Sequence, residues 1–208
     1  MKNRILVVAC LALAVLVSAC SSSPQSAVNN VNQEVGNMKS VLFVIAHNGF
    51  QDNEFSIPRD ILKAKGHKII VASSDTSPAS GALGGKVNPD ISLDTVLNRI
   101  DEFDAVIFIG GGGAREYFNS PVVHQIARDA KNIIAGICIA PLILANAGVL
   151  DGKKATVWND KNGTQSKLIE SKGAVFVAQP VVVDGKLVTA NGPSAAKVFG
   201  ERIAELLK

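Results

Sequence analysis

Residues 132–148 of the chain read NIIAGICIAPLILANAG. The first part, residues 132–137, is a short apolar run with β-branched residues, which predicts a fully buried strand. Residues 141–147 predict a helix, because Pro141 stands in its first turn and Gly148 lies just past its end. Cys138 then falls on a sharp strand-to-helix turn with almost no room for a loop, which is the geometry of a nucleophile elbow.

The position of Cys138 supports two interpretations. At a helix N-terminus the dipole favours a thiolate, so Cys138 could be a reactive nucleophile. Alternatively, it packs as a small buried hydrophobic residue, as free cysteines commonly do. The stretch alone does not separate the two.

The N-terminal segment predicts export and lipid attachment. Lys2 and Arg4 precede an apolar run over residues 5–17 that is too short for a comfortable membrane span. The run ends in Val17-Ser18-Ala19-Cys20, which resembles the bacterial lipobox, so Cys20 is the predicted lipidated residue. The alternative is an ordinary signal peptide in which Cys20 is incidental.

These features divide the chain into three predicted parts. Residues 1–19 form the lipoprotein signal peptide, and residues 20–39 hold the lipidated cysteine and a flexible tether rich in Ser, Asn and Gln. Residues 40–208 form a single globular domain. Ser21 after the lipidated cysteine fits an outer-membrane lipoprotein, with the domain facing the periplasm.

Charge and cysteine content narrow the function further. The formal net charge of +3 falls to near +1 once Lys2 and Arg4 leave with the signal, which is too small to indicate a nucleic-acid partner. Of the three cysteines, Cys10 leaves with the signal and Cys20 would carry lipid. Cys138 is then the only thiol of an exported domain, which cannot form an internal disulfide and favours the reactive interpretation.

Strands alternate with helices along the domain, which predicts an α/β fold with a mostly parallel sheet. A helix capped by Asp52 or Asn53 should end at Gly66, and Pro58 predicts a late start or a kink in it. A hairpin-like excursion is expected over residues 74–92. The predicted strands cover residues 41–46, 68–72, 104–109, 132–137, 154–158, 174–178, 181–183 and 187–189, and a closing helix covers residues 193–207.

Ligands of such folds bind beyond the carboxyl ends of the strands. That edge should collect His47, Gly110-Gly111, Cys138 and Asn191. The run Gly110 to Gly113 lacks the spacing of dinucleotide sites and the lysine of a phosphate loop. It predicts instead a backbone N–H that binds an oxyanion beside Cys138, with a merely tight turn as the alternative.

Glu54 lies in the first turn of the helix after the first strand, near the same edge. It is either a helix-terminal acid that complements the dipole or a partly buried carboxyl close to the thiol. No cluster of His, Cys, Asp and Glu has the spacing of a metal site, and we predict neither a metal nor a cofactor.

Four marks together resemble the DJ-1/PfpI family, within the class I glutamine amidotransferase-like superfamily, over essentially the whole domain. They are Gly-x-Cys-x-Ala-Pro at 136–141, Glu54 four residues before Pro58, Gly110-Gly111 after the third strand, and Asn191-Gly192-Pro193 before the last helix. The resemblance implies a flavodoxin-like sandwich and a homodimer. It also implies a nucleophilic Cys138 that is hydrogen-bonded by Glu54.

The chain departs from the family pattern at two positions. The protease-like branch has His directly after the cysteine, where this chain has Ile139, and the human-type branch has a nearby His where this chain has Trp158. A Cys-His-acid triad is therefore not evident. His47 could reach the site from the first strand, whereas His124 is expected to be exposed or to serve a partner subunit's site.

The resemblance implies a stress-protective enzyme of the glyoxalase or deglycase type, acting on small reactive carbonyls or glycated groups. Cys138 would attack the carbonyl, Glu54 would shuttle the proton, and N–H groups near Gly111 and Ile139 would hold the oxyanion. A protonated Glu54 should lower the thiol pKa. The alternative is a non-enzymatic redox sensor or chaperone-like protein using oxidation of Cys138, and a cysteine peptidase is the third hypothesis.

Overall fold

The structure is a computed structural model that describes residues 38–208. The predicted signal peptide, Cys20 and residues 21–37 of the tether lie outside the described residues. Within residues 38–208, no helix is both long and apolar enough to cross a membrane. Since a single chain is described, the predicted homodimer stays a prediction.

Strands and helices alternate along the described part of the chain. The strands are β1 (Ser40–Val44), β2 (Asn48–Phe50), β3 (Lys68–Ser73), β4 (Ala79–Gly81), β5 (Lys86–Val87), β6 (Ile91–Ser92), β7 (Ala105–Phe108), β8 (Ile133–Ile137), β9 (Lys154–Ala155), β10 (Val175–Phe176), β11 (Val181–Asp184) and β12 (Leu187–Ala190). The helices are α1 (Asp52–Ala64), α2 (Leu93–Leu97), α3 (Pro121–Asp129), α4 (Pro141–Asn146), α5 (Thr164–Glu170) and α6 (Ala196–Leu206).

Seven strands form one sheet in the order β11-β12-β8-β7-β1-β3-β6. Every neighbouring pair is parallel except β11 and β12. Strands β7 and β8 are buried throughout, as uninterrupted apolar runs covered on both faces should be. The predicted α/β fold with a mostly parallel sheet is confirmed, as is the predicted hairpin, which β4 and β5 form.

The strand order decides where the candidate site residues meet. Strand β7 lies between β1 and β8. The chain leaving β7 therefore runs between the chain leaving β1, which leads to Glu54, and the chain leaving β8, which leads to Cys138. Gly110, two residues beyond β7, occupies this middle position.

Helix α1 differs from its sequence-based prediction. It begins at Asp52 rather than late, and Pro58 lies inside it. The predicted caps Asp52 and Asn53 are wrong: the side chain of Gln51 accepts the N–H of Glu54 at 2.9 Å. The Asp52 carboxylate instead accepts the N–H groups of Leu83 and Gly85, both at 2.7 Å, and so fastens the tip of the β4–β5 hairpin to the start of α1.

Two predicted strands are less than half as long as expected. Only β9 and β10, with two residues each, remain of the segments 154–158 and 174–178, and they pair with each other outside the main sheet. Trp158 therefore lies beyond the end of its strand. Helix α2 was not predicted; the side chain of Ser92 caps it by accepting the N–H of Thr95.

Helices α1 and α6 approach closely where Gly200 faces Pro58. A Cβ at Gly200 would lie 2.8 Å from the Pro58 Cα, which is backbone and cannot rotate away. We predict that Gly200→Val lowers the free energy of unfolding by about 1–3 kcal/mol, because overpacking separates the two helices. Chemical denaturation measures it, with Lys197→Val on the exposed face of α6 as the matched control. Equal effects of the two substitutions would contradict a tight α1–α6 contact.

Candidate active site

Cys138 sits on the turn between β8 and α4 in a strained backbone conformation. Its φ is +64°, and it is the only non-glycine residue of the described chain with a positive φ. Such a conformation costs of order 1–3 kcal/mol and persists only where the surroundings enforce it. Two backbone hydrogen bonds of 2.8 Å do so: the Cys138 N–H donates to the Ala190 carbonyl, and the Trp158 N–H donates to the Cys138 carbonyl.

Glu54 is brought to Cys138 across Gly110. Its side chain is fully buried in the first turn of α1. A Cβ built on Gly110 would lie 2.6 Å from the Cys138 Cβ and 2.7 Å from the Glu54 Oε2. Any side chain at position 110 would therefore occupy the space in which the thiol and the carboxyl meet.

Burial dominates the ionisation of Glu54. It raises the pKa of the carboxyl to about 7, against smaller opposing contributions from the Cys138 thiol and the Gly110 N–H. Neither carboxyl oxygen has a partner at strict hydrogen-bonding geometry, so little compensates the carboxylate for its lost hydration. Glu54 consequently holds its proton up to neutral pH.

Burial also dominates the ionisation of Cys138. It raises the pKa of the thiol to about 12; a charged Glu54 adds to the rise, and the nearby N–H groups of Gly111 and Ile139 oppose it. The expectation of a lowered thiol pKa is therefore wrong in this structure, because two N–H donors do not outweigh burial and a neighbouring charge. The first charge of the pair forms on Glu54, and the thiol keeps its proton beside it.

The backbone N–H groups of Gly111 and Ile139, which are the two predicted oxyanion donors, lie near the Cys138 sulfur. Gly111 has a φ of +97°, and a Cβ there would lie 2.5 Å from the Gln51 N and still closer to the Gly49 carbonyl oxygen. Only glycine fits this turn. The Ile139 N–H comes from the elbow itself. Together they form a pair of backbone donors next to the sulfur.

The two candidate histidines point elsewhere. The His47 ring lies 3.6 Å from the Asp75 carboxylate and 3.4 Å from the Ser77 hydroxyl. His124 is half-buried rather than exposed, and its Nε2 lies 2.9 Å from the Phe118 carbonyl oxygen. Within residues 38–208, neither ring makes a hydrogen bond or ion pair with Cys138, so Glu54 is the titratable side chain that accompanies the thiol.

Three supporting residues were missed by sequence reasoning. Gln51 caps α1, although glutamine is not a preferred capping residue. Ala190 and Trp158 hold the strained cysteine through backbone groups, which carry no side-chain signature in a sequence. In the part of the chain that the structure describes, no group of three His, Cys, Asp or Glu side chains could hold a metal ion.

The described part of the chain is similar to several known proteins. The model of the DJ-1/PfpI family matches residues 39–206. The deglycase PfpI of Pyrococcus furiosus is 33% identical over 171 residues, which cover 81% of this chain and 99% of that protein. The glutathione-independent glyoxalase DJR-1.2 of Caenorhabditis elegans is 27% identical over 173 residues, which cover 82% and 89%.

A solved structure shows the same fold. The crystal structure of a ThiJ/PfpI domain protein from Brachyspira murdochii has a TM-score of 0.77 and 31% identity to this chain. The match covers 83% of this chain and 98% of that one.

The Glu54–Cys138 pair predicts a specific pH profile. Alkylation of Cys138 by iodoacetamide should rise with an inflection at about pH 7, where Glu54 loses its proton and can accept one from the thiol. Glu54→Gln should remove this inflection and slow alkylation at neutral pH by about 100-fold. The exposed Glu201→Gln serves as the control. Strong thiolate absorbance of the parent protein at neutral pH would show that the charge sits on sulfur instead.

Proposed function

The chain belongs to the DJ-1/PfpI family, and from that premise we propose that it is a cysteine-dependent enzyme acting on reactive carbonyl compounds. The names of two relatives, a deglycase and a glutathione-independent glyoxalase, support this class of substrate. The role is protective, since it removes reactive aldehydes or the adducts they form.

One observation carries the proposal: a half-buried thiol and a fully buried carboxyl meet across Gly110, with two N–H groups beside the sulfur. In the proposed first step, the Cys138 sulfur attacks the aldehyde carbon while the thiol proton passes to the Glu54 carboxylate. The carbonyl oxygen takes up the negative charge, and the N–H groups of Gly111 and Ile139 stabilise it. The product is the oxyanion of a hemithioacetal, with Glu54 now protonated.

The same groups can complete the reaction of a 2-oxoaldehyde. Glu54 returns its proton to the oxyanion and later accepts the hydrogen of the former aldehyde carbon. Delivery of that proton to the neighbouring carbon, with transfer of the hydroxyl proton to the neighbouring oxygen, gives a thioester, which water hydrolyses to a 2-hydroxy acid and the free thiol. The sum is addition of one water molecule, and neither an oxidant nor a reductant is consumed.

A peptidase is disfavoured by the same geometry. Amide hydrolysis needs an acid that protonates the leaving amine, a task that histidine performs in cysteine peptidases. Ile139 cannot supply it, and the rings of His47 and His124 contact other groups. Aldehydes have no leaving group to protonate, so one carboxyl suffices for them.

Turnover of methylglyoxal without added thiol tests the proposal. The parent protein should form lactate, Cys138→Ala should form none, and Glu54→Gln should lower kcat/KM by about 100-fold or more because the base is lost. Leu168→Ala, an exposed residue of α5, is the control. Absence of turnover, together with ready conversion of Cys138 to sulfinate by peroxide, would favour the redox-sensor alternative.

We also propose that the enzyme is a lipoprotein whose domain faces the periplasm from the outer membrane. The support is the sequence Val17-Ser18-Ala19-Cys20, which follows a basic and then an apolar segment. Cys20→Ser should release the protein from the membrane fraction, as tested by fractionation and by incorporation of labelled fatty acid. A Cys20→Ser protein that stays membrane-bound and is processed like the parent would contradict the proposal.

A further inference from the structure

A groove of about 540 Å³ lies next to the turn that carries Cys138. Residues 156–159, 176, 178, 179 and 191–194 line it. Two of its walls are bonded to the cysteine: the Trp158 N–H donates to the Cys138 carbonyl, and the Cys138 N–H donates to the carbonyl of Ala190, the residue before Asn191. These bonds fix the groove relative to the backbone of Cys138, whose side chain is not one of the groups that line it.

The lining of the groove is uncharged. Every described residue that lines it is apolar, a hydroxyl residue, a carboxamide or glycine. A charged ligand would lose its hydration in the groove without gaining a counter-charge, whereas a neutral ligand has no charge to compensate. The groove therefore suits an uncharged ligand group, and its volume is in the range of small-molecule sites.

The groove offers both an aromatic surface and free hydrogen-bonding groups. Trp158 is 39% exposed, which is unusual for so large an apolar side chain. Within residues 38–208, the side chains of Trp158, Gln179 and Asn191 make no hydrogen bond, whereas Asn159 is used in capping α5 by accepting the Gln165 and Ser166 N–H groups. A free carboxamide donates and accepts at once, which matches a hydroxyl group.

We propose that this groove binds the uncharged, hydroxyl-rich tail of a sugar-derived 2-oxoaldehyde while the aldehyde carbon reaches Cys138. The C–H face of the tail would pack on the Trp158 indole, and its hydroxyls would bond to Gln179 and Asn191. This inference rests on the proposed function, and it adds a substrate class: carbonyl compounds that retain part of a sugar chain.

A matched pair of substrates tests the inference. Methylglyoxal and 3-deoxyglucosone share the 2-oxoaldehyde head, and the latter adds a tail with three hydroxyl groups. The parent should prefer 3-deoxyglucosone in kcat/KM. Trp158→Ala and Asn191→Ala should each reduce the ratio of the two kcat/KM values by about tenfold, as loss of one well-placed contact does. Leu168→Ala, outside the groove, is the control.

Binding can be measured without turnover. Trp158 is the only tryptophan of the chain, so fluorescence reports on the groove directly. In the Cys138→Ala protein, 3-deoxyglucosone should change the fluorescence saturably and methylglyoxal should not, and Asn191→Ala should weaken the response.

The outcomes separate the two proposals. Turnover of both aldehydes with an unaltered ratio in the groove variants, and no saturable fluorescence change, would overturn the groove inference and leave the proposed function standing. A saturable response in Cys138→Ala, with no turnover of either aldehyde by the parent, would support the groove as a polyol site and reject the carbonyl chemistry.

Discussion

The site depends on one steric constraint, the missing side chain at Gly110. Strand β7 runs between β1 and β8, so the backbone that follows it passes between Glu54 and Cys138. A methyl group at position 110 would meet the Cys138 Cβ, the Glu54 Oε2 and the Ile137 carbonyl at less than 3 Å. The order of three strands thus brings two chemical groups to one place, and glycine lets them touch.

That contact explains why the charge of the pair forms on oxygen. Both groups lose hydration on burial, which raises the pKa of each. The carboxyl starts from the lower value and so ionises first, and its charge then opposes ionisation of the thiol. In the proposed mechanism, charge leaves the thiol only when sulfur bonds to carbon, and the N–H groups of Gly111 and Ile139 then stabilise the charge on the carbonyl oxygen.

Sequence reasoning recovered the sheet and the elbow because both follow from local patterns. Apolar runs mark β1, β7 and β8, and Pro141 and Gly148 bracket the helix behind Cys138. Sequence reasoning failed where a residue's role depends on a partner that is distant in the sequence. Asp52 was predicted as a helix cap, yet its carboxylate accepts two N–H groups of the β4–β5 hairpin instead. The thiol pKa depended on the depth of burial, which a helix-dipole argument leaves out.

The two departures from the family pattern, Ile139 and Trp158, both adjoin the strained residue Cys138: Ile139 follows it in the chain, and Trp158 is bonded to its backbone. The positive φ of this residue requires enforcement, and backbone bonds from Trp158 and to Ala190 supply it. Because these bonds use backbone atoms, the side chain at position 158 can change without breaking the hydrogen bonds that hold Cys138 in its strained conformation. A histidine there would add a titratable group beside the elbow, whereas tryptophan presents an apolar surface to the groove.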